Sequence, residues 1–325
     1  MSRELKELAK KDVYIVTKPI QYINVLNIES NHKKVLLFVD SFINAKVIFE
    51  KIKKRNFYWD ELHFFENIDV TFNWLIENKK NFDTLYIDSD VNHRKEFSLL
   101  RNLNITVYEE GVGTYRKNQY KPRRKVLGSL FLLFLKIRGY KNRRGGNKYT
   151  QNIIVYFPDF YKNYLNENKK NVIGFRKPFI EHLKSCEEID IFNQNINFSD
   201  LHNKNVLLYI TDWEIDEKEM SIIKSTSCEM KIIKPHPHLK QVSNQDGFDM
   251  SIKGDMLAEI LILRLIEVVS SLVIVSKYST ATIYFLNHPK IEIINVEMTS
   301  KHHNDMNSYL DAYKSLTTYI KNTSK

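Results

Sequence analysis

Met230-Lys231-Ile232-Ile233-Lys234-Pro235-His236-Pro237-His238 joins a short apolar run to a turn pinned by prolines. The run has the length and branching of a buried strand. Pro235 and Pro237 restrict the backbone on either side of His236, which places a protonatable side chain at the strand's carboxyl end. Two other apolar runs end in turns of similar chemical content. Ile105-Thr-Val-Tyr108 leads into Glu109-Glu110-Gly111-Val112-Gly113, and Leu272-Val-Ile-Val275 leads to a helix start at Ser279-Thr280. Ligands of open parallel sheets bind outside the carboxyl ends of the strands, so the three turns are expected to serve one cleft.

Outward from these turns, strand and helix patterns alternate through both halves of the chain. The first half offers strands at Val13–Val16, Val35–Val39, Leu62–Phe65, Thr84–Ile87 and Ile105–Tyr108, with helices such as Pro19–Ser30 and Phe42–Lys53 between them. The second repeats the rhythm at Val206–Ile210, Lys231–Ile233, Leu272–Val275 and Ile291–Ile294. Its helices are expected from about Asp216, over Asp255–Val269, from Ser279 and over Asn304–Tyr319. Short apolar runs joined by longer crossovers imply parallel sheets covered on both faces. The expected class is α/β: two Rossmann-like domains facing across a cleft, the GT-B arrangement, divided in the Asn-rich stretch 187–205. The first domain is assigned residues 1–195 and the second 196–325.

Composition narrows the setting. An apolar content of 43% in 325 residues is enough for two real cores. Cys186 and Cys228 form neither a disulfide framework nor a zinc spacing, which suits a reducing cytoplasm. The first residues lack the apolar stretch of a signal peptide, and no run of about 18 apolar residues is present. Between Gly111 and Pro158 there is no acidic residue but twelve Lys and Arg, more than the whole formal net charge of +10. The basic residues, within 116–148, flank the apolar insert Val126–Leu135. Such a segment fits either an anionic membrane surface or a buried helix with solvated ends. No nucleic-acid-binding module accompanies it.

The ordered motifs resemble those of the bacterial lipooligosaccharide sialyltransferases, glycosyltransferase family fifty-two, with kinship to the bacterial polysialyltransferases. Asp12–Tyr22 resembles the family's opening strand and its turn ending in Gln, and Tyr108–Tyr115 its acidic-acidic-Gly-x-Gly turn. Val206–Asp212 resembles the first strand of the second domain, Lys234–Pro237 the His-Pro motif, and Val275–Thr280 the phosphate-binding serine turn. The resemblance implies sialyl transfer from CMP-sialic acid to a bacterial surface glycan, lipooligosaccharide or capsule, with inversion. It implies an acceptor-side first domain and a nucleotide-sugar-binding second domain, in a cytoplasmic enzyme that can rest peripherally on the inner membrane.

That chemistry needs a carboxylate to take the acceptor proton and donors to neutralise the departing phosphate. His236, rigidified by Pro235 and Pro237, Lys234 beside it, and the hydroxyls and backbone N–H groups of Ser279 and Thr280 are the expected phosphate partners. Asp212 and Glu109 compete for the role of base. Gly111 and Gly113 permit close backbone approach, and Glu259 is assigned to the nucleotide's base or ribose, or else to solvent. No metal and no cofactor are expected. Asp88-Ser89-Asp90 offers a competing metal-binding pair, and His236 with His238 a weaker one. Two other functions stay open: a hexosyl- or hexosaminyltransferase using a UDP-sugar, and a non-catalytic carbohydrate-binding or membrane-associated scaffold. The oligomeric state is also open, a homodimer included.

Overall fold

A computed structural model describes residues 10–119, 125–192, 196–211, 217–236, 247–253, 256–297 and 303–323. The chain forms two compact units. The first comprises Met1–Ser41, Ala45–Glu110 and Lys117–Lys177; the second comprises Phe42–Asn44, Gly111–Arg116 and Pro178–Lys325. The main division thus falls at Lys177/Pro178, upstream of the Asn-rich stretch. That stretch is polar in sequence, yet its short helical turns bury Ile189, Ile191, Phe192 and Leu201. The helix Phe179–Ser185 opens the second unit, and Phe179 stacks on Tyr284 with ring centroids 3.9 Å apart.

The first unit holds a seven-stranded, all-parallel sheet. Its strands are β1 (Lys11–Val16), β2 (Lys33–Val39), β3 (Glu61–Phe65), β4 (Thr84–Ile87), β5 (Asn104–Tyr108), β6 (Thr150–Val155) and β7 (Asn171–Gly174), in the order β3-β2-β1-β4-β5-β6-β7. Consecutive residues of β1 and β2 are buried, as a sheet covered on both faces requires. Val13, Ile15, Val35, Leu37, Leu85 and Val107 meet Phe72, Leu75 and Phe97 on one face. On the other, Tyr14 stacks on Tyr86 at 4.4 Å and meets Trp59 edge-on at 5.2 Å.

The second unit holds a five-stranded parallel sheet, order β10-β9-β8-β11-β12. Its strands are β8 (Asn205–Ile210), β9 (Met230–Lys234), β10 (Met250–Ser251), β11 (Ser271–Ser276) and β12 (Ile291–Asn295). Leu207, Tyr209, Ile233 and Val275 pack against Ile223 and Val296. Both sheets reverse their winding direction at one place, between β1 and β4 in the first and between β8 and β11 in the second. Crevices form at such reversals, outside the carboxyl ends of the strands.

The expected strands are all present, Thr84–Ile87 with the same bounds and the others a residue or two longer. Three more were not anticipated: β6, which begins with the polar Thr-Gln-Asn, and the short β7 and β10. The helix expected from Ser279 is a single turn, Thr280–Ile283, and the last helix runs over His303–Thr323 in the second unit.

Candidate functional site

The carboxyl edge of the second sheet collects most of the residues expected to hold a donor. Strand registers place Ile210 beside both Lys234 and Ser276, so β9, β8 and β11 end side by side. Thr211, directly after β8, accepts the His236 N–H on its hydroxyl at 2.9 Å, and Thr211 N–H donates to the Lys234 carbonyl at 3.0 Å. These two bonds tie the His-Pro turn to the neighbouring strand. The Lys234 side chain is buried and donates to the Pro235 carbonyl at 2.8 Å. Glu259, in the first turn of the helix Ala258–Val268, is also buried, which rules out the solvent-facing reading. Burial raises its carboxyl pKa and the charge of Lys234 pulls it back, so the two residues sense each other. Asp212 and Pro237 lie outside the described residues, as does His238.

After β11 the chain turns sharply through Tyr278, a buried non-glycine residue at φ 56°. Left-handed backbone at such a residue costs about 1–3 kcal/mol and clusters at functional turns. Tyr278 is held there by its neighbours: its carbonyl accepts the Tyr309 hydroxyl at 2.8 Å, and its ring meets Tyr313 edge-on at 5.3 Å. Ser279 N–H lies 3.4 Å from the Ser276 hydroxyl. Thr280 pairs its hydroxyl with Tyr309 at 3.1 Å. The one-turn helix brings little dipole, so the hydroxyls and backbone amides carry any phosphate chemistry here. Gly111, at φ 136° and ψ −158°, lies against the Thr280 methyl, where a β-carbon would overlap it. Gly113 is half-buried in the same turn. A pair missed in the sequence lies nearby in the chain: Lys277, directly after β11, meets the fully buried Glu219 at 2.9 Å.

In the first unit the two glutamates separate, as alternation along a strand requires. Glu109 is buried, and its carboxylate accepts the Tyr156 N–H at 2.7 Å. Glu110 is the one that enters a charged cluster. It accepts from Arg144 at 2.6 Å, Gln21 at 2.9 Å and Lys18 at 3.0 Å. Asp88, at the end of β4, stands 3.6 Å from Arg144. The cations beside Glu110 hold its carboxyl well below the usual range even though burial opposes this. Asp88 is pushed the other way, up to about 7, first by burial and then by the Glu110 charge. Arg144 had no sequence signal beyond its place in the basic window.

Asp90 explains how Arg144 is aimed. Its carboxylate accepts the N–H of Gly145 and of Asn147, each at 2.9 Å, and the Thr150 hydroxyl at 2.6 Å. These bonds fix the Arg143–Asn147 loop to the segment that follows β4. With Asp90 so occupied and Asp88 facing an arginine, Asp88-Ser89-Asp90 does not present a shared carboxylate cradle for a cation. Among the described residues, one group has metal-ligand chemistry: Asp12, His32 and Asp83, with ligand atoms within 4.8 Å of one another. It lies at the amino ends of β1, β2 and β4, the opposite edge of the sheet.

No protein-family model matches the chain, and no curated protein sequence matches it. A solved structure does. LpCGTa, crystallised in complex with UDP, superposes with a TM-score of 0.50 over 95% of this chain and 90% of its own, at 8% identity. The chain therefore has a GT-B-like fold, built from two Rossmann-like units. A 3-phosphoglycerate dehydrogenase of Entamoeba histolytica with bound NAD+ aligns over 97% of this chain and 96% of its own at 13% identity, but its TM-score of 0.18 carries no weight.

Proposed function

We propose that this chain is a glycosyltransferase that uses a nucleotide-sugar donor. The observation that carries this reading is the row of groups at the carboxyl ends of β9, β8 and β11: Lys234 and His236, then Thr211, then Ser276 and Ser279. A departing nucleotide phosphate needs cationic and hydroxyl partners in one place. His236 donates a proton or a hydrogen bond to the leaving phosphate oxygen. Lys234 adds charge, Ser279 and Thr280 supply hydroxyls, and Glu259 takes the ribose. Within this reading, the motif resemblance supports CMP-sialic acid as donor and a bacterial surface glycan as acceptor, with inversion. A UDP-sugar is the second reading, favoured by the UDP bound to LpCGTa. Thermal shifts with CMP, CDP, UDP and GDP, followed by turnover of the matching sugar nucleotides, separate the two. Failure of every nucleotide to shift unfolding would leave the scaffold reading.

Metal is not required by this donor set, because His236, Lys234 and Ser279 can neutralise the phosphate between them. Transfer is expected to survive EDTA. Strict dependence on added Mn²⁺ or Mg²⁺ would sink this part of the reading.

We also propose that the enzyme rests on an anionic membrane surface through the helix Lys125–Ile137. Its Leu130, Leu133, Phe134 and Ile137 recur at helical spacing and are exposed, so the segment is not a buried helix. Lys136 and Arg138 flank the stripe, with Arg138 over the Phe134 ring at 4.2 Å. Two of the basic residues do not contribute: Arg143 pairs with Glu167 and Arg144 with Glu110. Lys121, Arg123 and Arg124 lie outside the described residues. Among the described residues no helix is long and apolar enough to cross a membrane. Cosedimentation with anionic liposomes is expected to be strong at low salt and weak at high salt. The double change Leu133→Asp, Ile137→Asp should weaken it more than tenfold, since each buried aliphatic side chain contributes about 1.5–3 kcal/mol. Equal binding by wild type and variant would refute the docking role.

A further inference from the structure

We propose that Asp88 is the base that takes the proton from the acceptor hydroxyl. The inference rests on the glycosyltransferase reading and assigns that reaction's base to a residue other than Asp212 or Glu109. Position is the first ground. Asp88 follows β4, and β4 with β1 forms the winding reversal of the first sheet, where ligands of such folds bind. The second is space. Asp88 lines a cleft of about 340 Å³ together with Thr17, Asp40, Ser41, Asn67 and His93. These polar side chains, beside the apolar Val39 and Ile68, suit the hydroxyls and carbon face of a sugar.

The third ground is the division of labour inside the cluster. Glu110 receives Arg144, Lys18 and Gln21 and stays ionised. Asp88 stands 3.6 Å from Arg144, too long for a hydrogen bond, and shares with Glu110 a side-chain hydrogen bond that favours its protonated form. The groups facing Asp88 are Glu110, Arg144 and Lys18, with the buried Tyr108 hydroxyl also sensing its charge. Burial and Glu110 hold its proton affinity near neutrality, about 7, which is the range a general base needs. Two carboxylates whose environments push them apart are the usual mark of an acid–base assignment.

The step balances as a displacement. The acceptor O–H gives its proton to an Asp88 carboxylate oxygen as the acceptor oxygen bonds to the anomeric carbon. The bond from that carbon to the donor phosphate breaks, and its electron pair leaves with the nucleotide. Asp88 then returns the proton to water.

The test uses the full chain and nucleotide release from CMP-sialic acid, UDP-glucose and UDP-N-acetylglucosamine, with lactose or water as acceptor. For the active donor, the wild-type kcat/KM should fall on the acid side with an apparent pKa near 7. Asp88→Asn should lower kcat about 10²–10⁴-fold and abolish that limb, while the thermal shift given by the matching nucleotide persists. Lys18→Met removes a half-exposed cation that lowers the proton affinity of Asp88, so it should move the limb to higher pH. A merely structural Asp88 would leave the limb in place. Asp88→Asn also removes a carboxyl that is harder to ionise in the folded state than in the unfolded chain. Between pH about 4 and 7 the native protein holds a proton that the unfolded chain releases, so the Asp88 contribution to stability declines as pH rises. The variant should therefore melt at a higher temperature than wild type at pH 8, where a lost structural contact would lower it. Wild-type turnover by a folded Asp88→Asn, or a limb that Lys18→Met leaves unmoved, would overturn the proposal but not the glycosyltransferase reading. No nucleotide shift and no release by wild type would overturn both.

Discussion

Gly111→Ala is expected to destabilise the second unit by about 2–6 kcal/mol, with loss of soluble, folded protein at 37 °C. Two terms add. The backbone at φ 136° and ψ −158° lies in a region that is essentially reserved for glycine, and forcing an alanine there costs about 1–3 kcal/mol. The new β-carbon would also overlap the Thr280 methyl. Thr280 cannot swing away freely, because its hydroxyl is held by Tyr309 and its helical turn is packed under the last helix. Overpacking of this kind costs about 1–3 kcal/mol more. The check is the denaturation midpoint against wild type. A paired change, Gly111→Ala with Thr280→Ser, removes the methyl and should recover the packing part but not the backbone part. Equal stability of wild type and Gly111→Ala would show that the turn is not as constrained as it stands.

His236→Ala is expected to lower kcat about 10²–10³-fold while leaving the fold and nucleotide affinity nearly intact. One donor aimed at developing charge is worth this much when water is excluded. Its backbone explains why the fold should survive: the His236 amide, which alanine retains, makes the bond to Thr211, so the turn stays anchored. The imidazole is half-buried at the sheet edge and its loss opens no large core cavity. Kinetics on the active donor, with circular dichroism of the variant, provide the check. Turnover within threefold of wild type in a folded variant would remove His236 from the chemistry.

The sheets were legible in the sequence because their strands are covered on both faces. Val35–Val39 and Val206–Ile210 are unbroken apolar runs, and no tertiary knowledge is needed to see them. β6 was hidden because Thr150 and Asn152 spend their polar groups on Asp90 and on Asn104 and Thr106. The turns of the second unit were legible for a related reason. Pro235 and Gly111 leave marks in one dimension, since backbone geometry selects them locally. Arg144, Glu110 and Asp88 left none. They meet through the side-by-side order of β4, β5 and β6 and a loop folded by Asp90, at sequence separations of 34 and 56 residues that no local pattern records. Glu109 and Glu110 looked equivalent as letters, and the burial of one against Tyr156 N–H separates them.

The Val112–Tyr115 turn has a consequence for how this protein can be divided or recombined. Although it leaves β5 of the first sheet, it belongs to the second unit, where Val112, Thr114 and Tyr115 are buried. Phe42–Asn44 belongs there too. The second unit is thus assembled from three stretches of chain, and no single cut yields it whole. A fragment beginning at Pro178 would lack the buried Tyr115 and the turn that packs against the last helix, whatever the quality of its own sheet. A chimera that exchanges the second unit must therefore carry residues 42–44 and 111–116 with it. Recombination is constrained in the same way: a single crossover cannot transfer the second unit whole, because one of its turns is encoded more than sixty residues upstream of the Lys177/Pro178 junction.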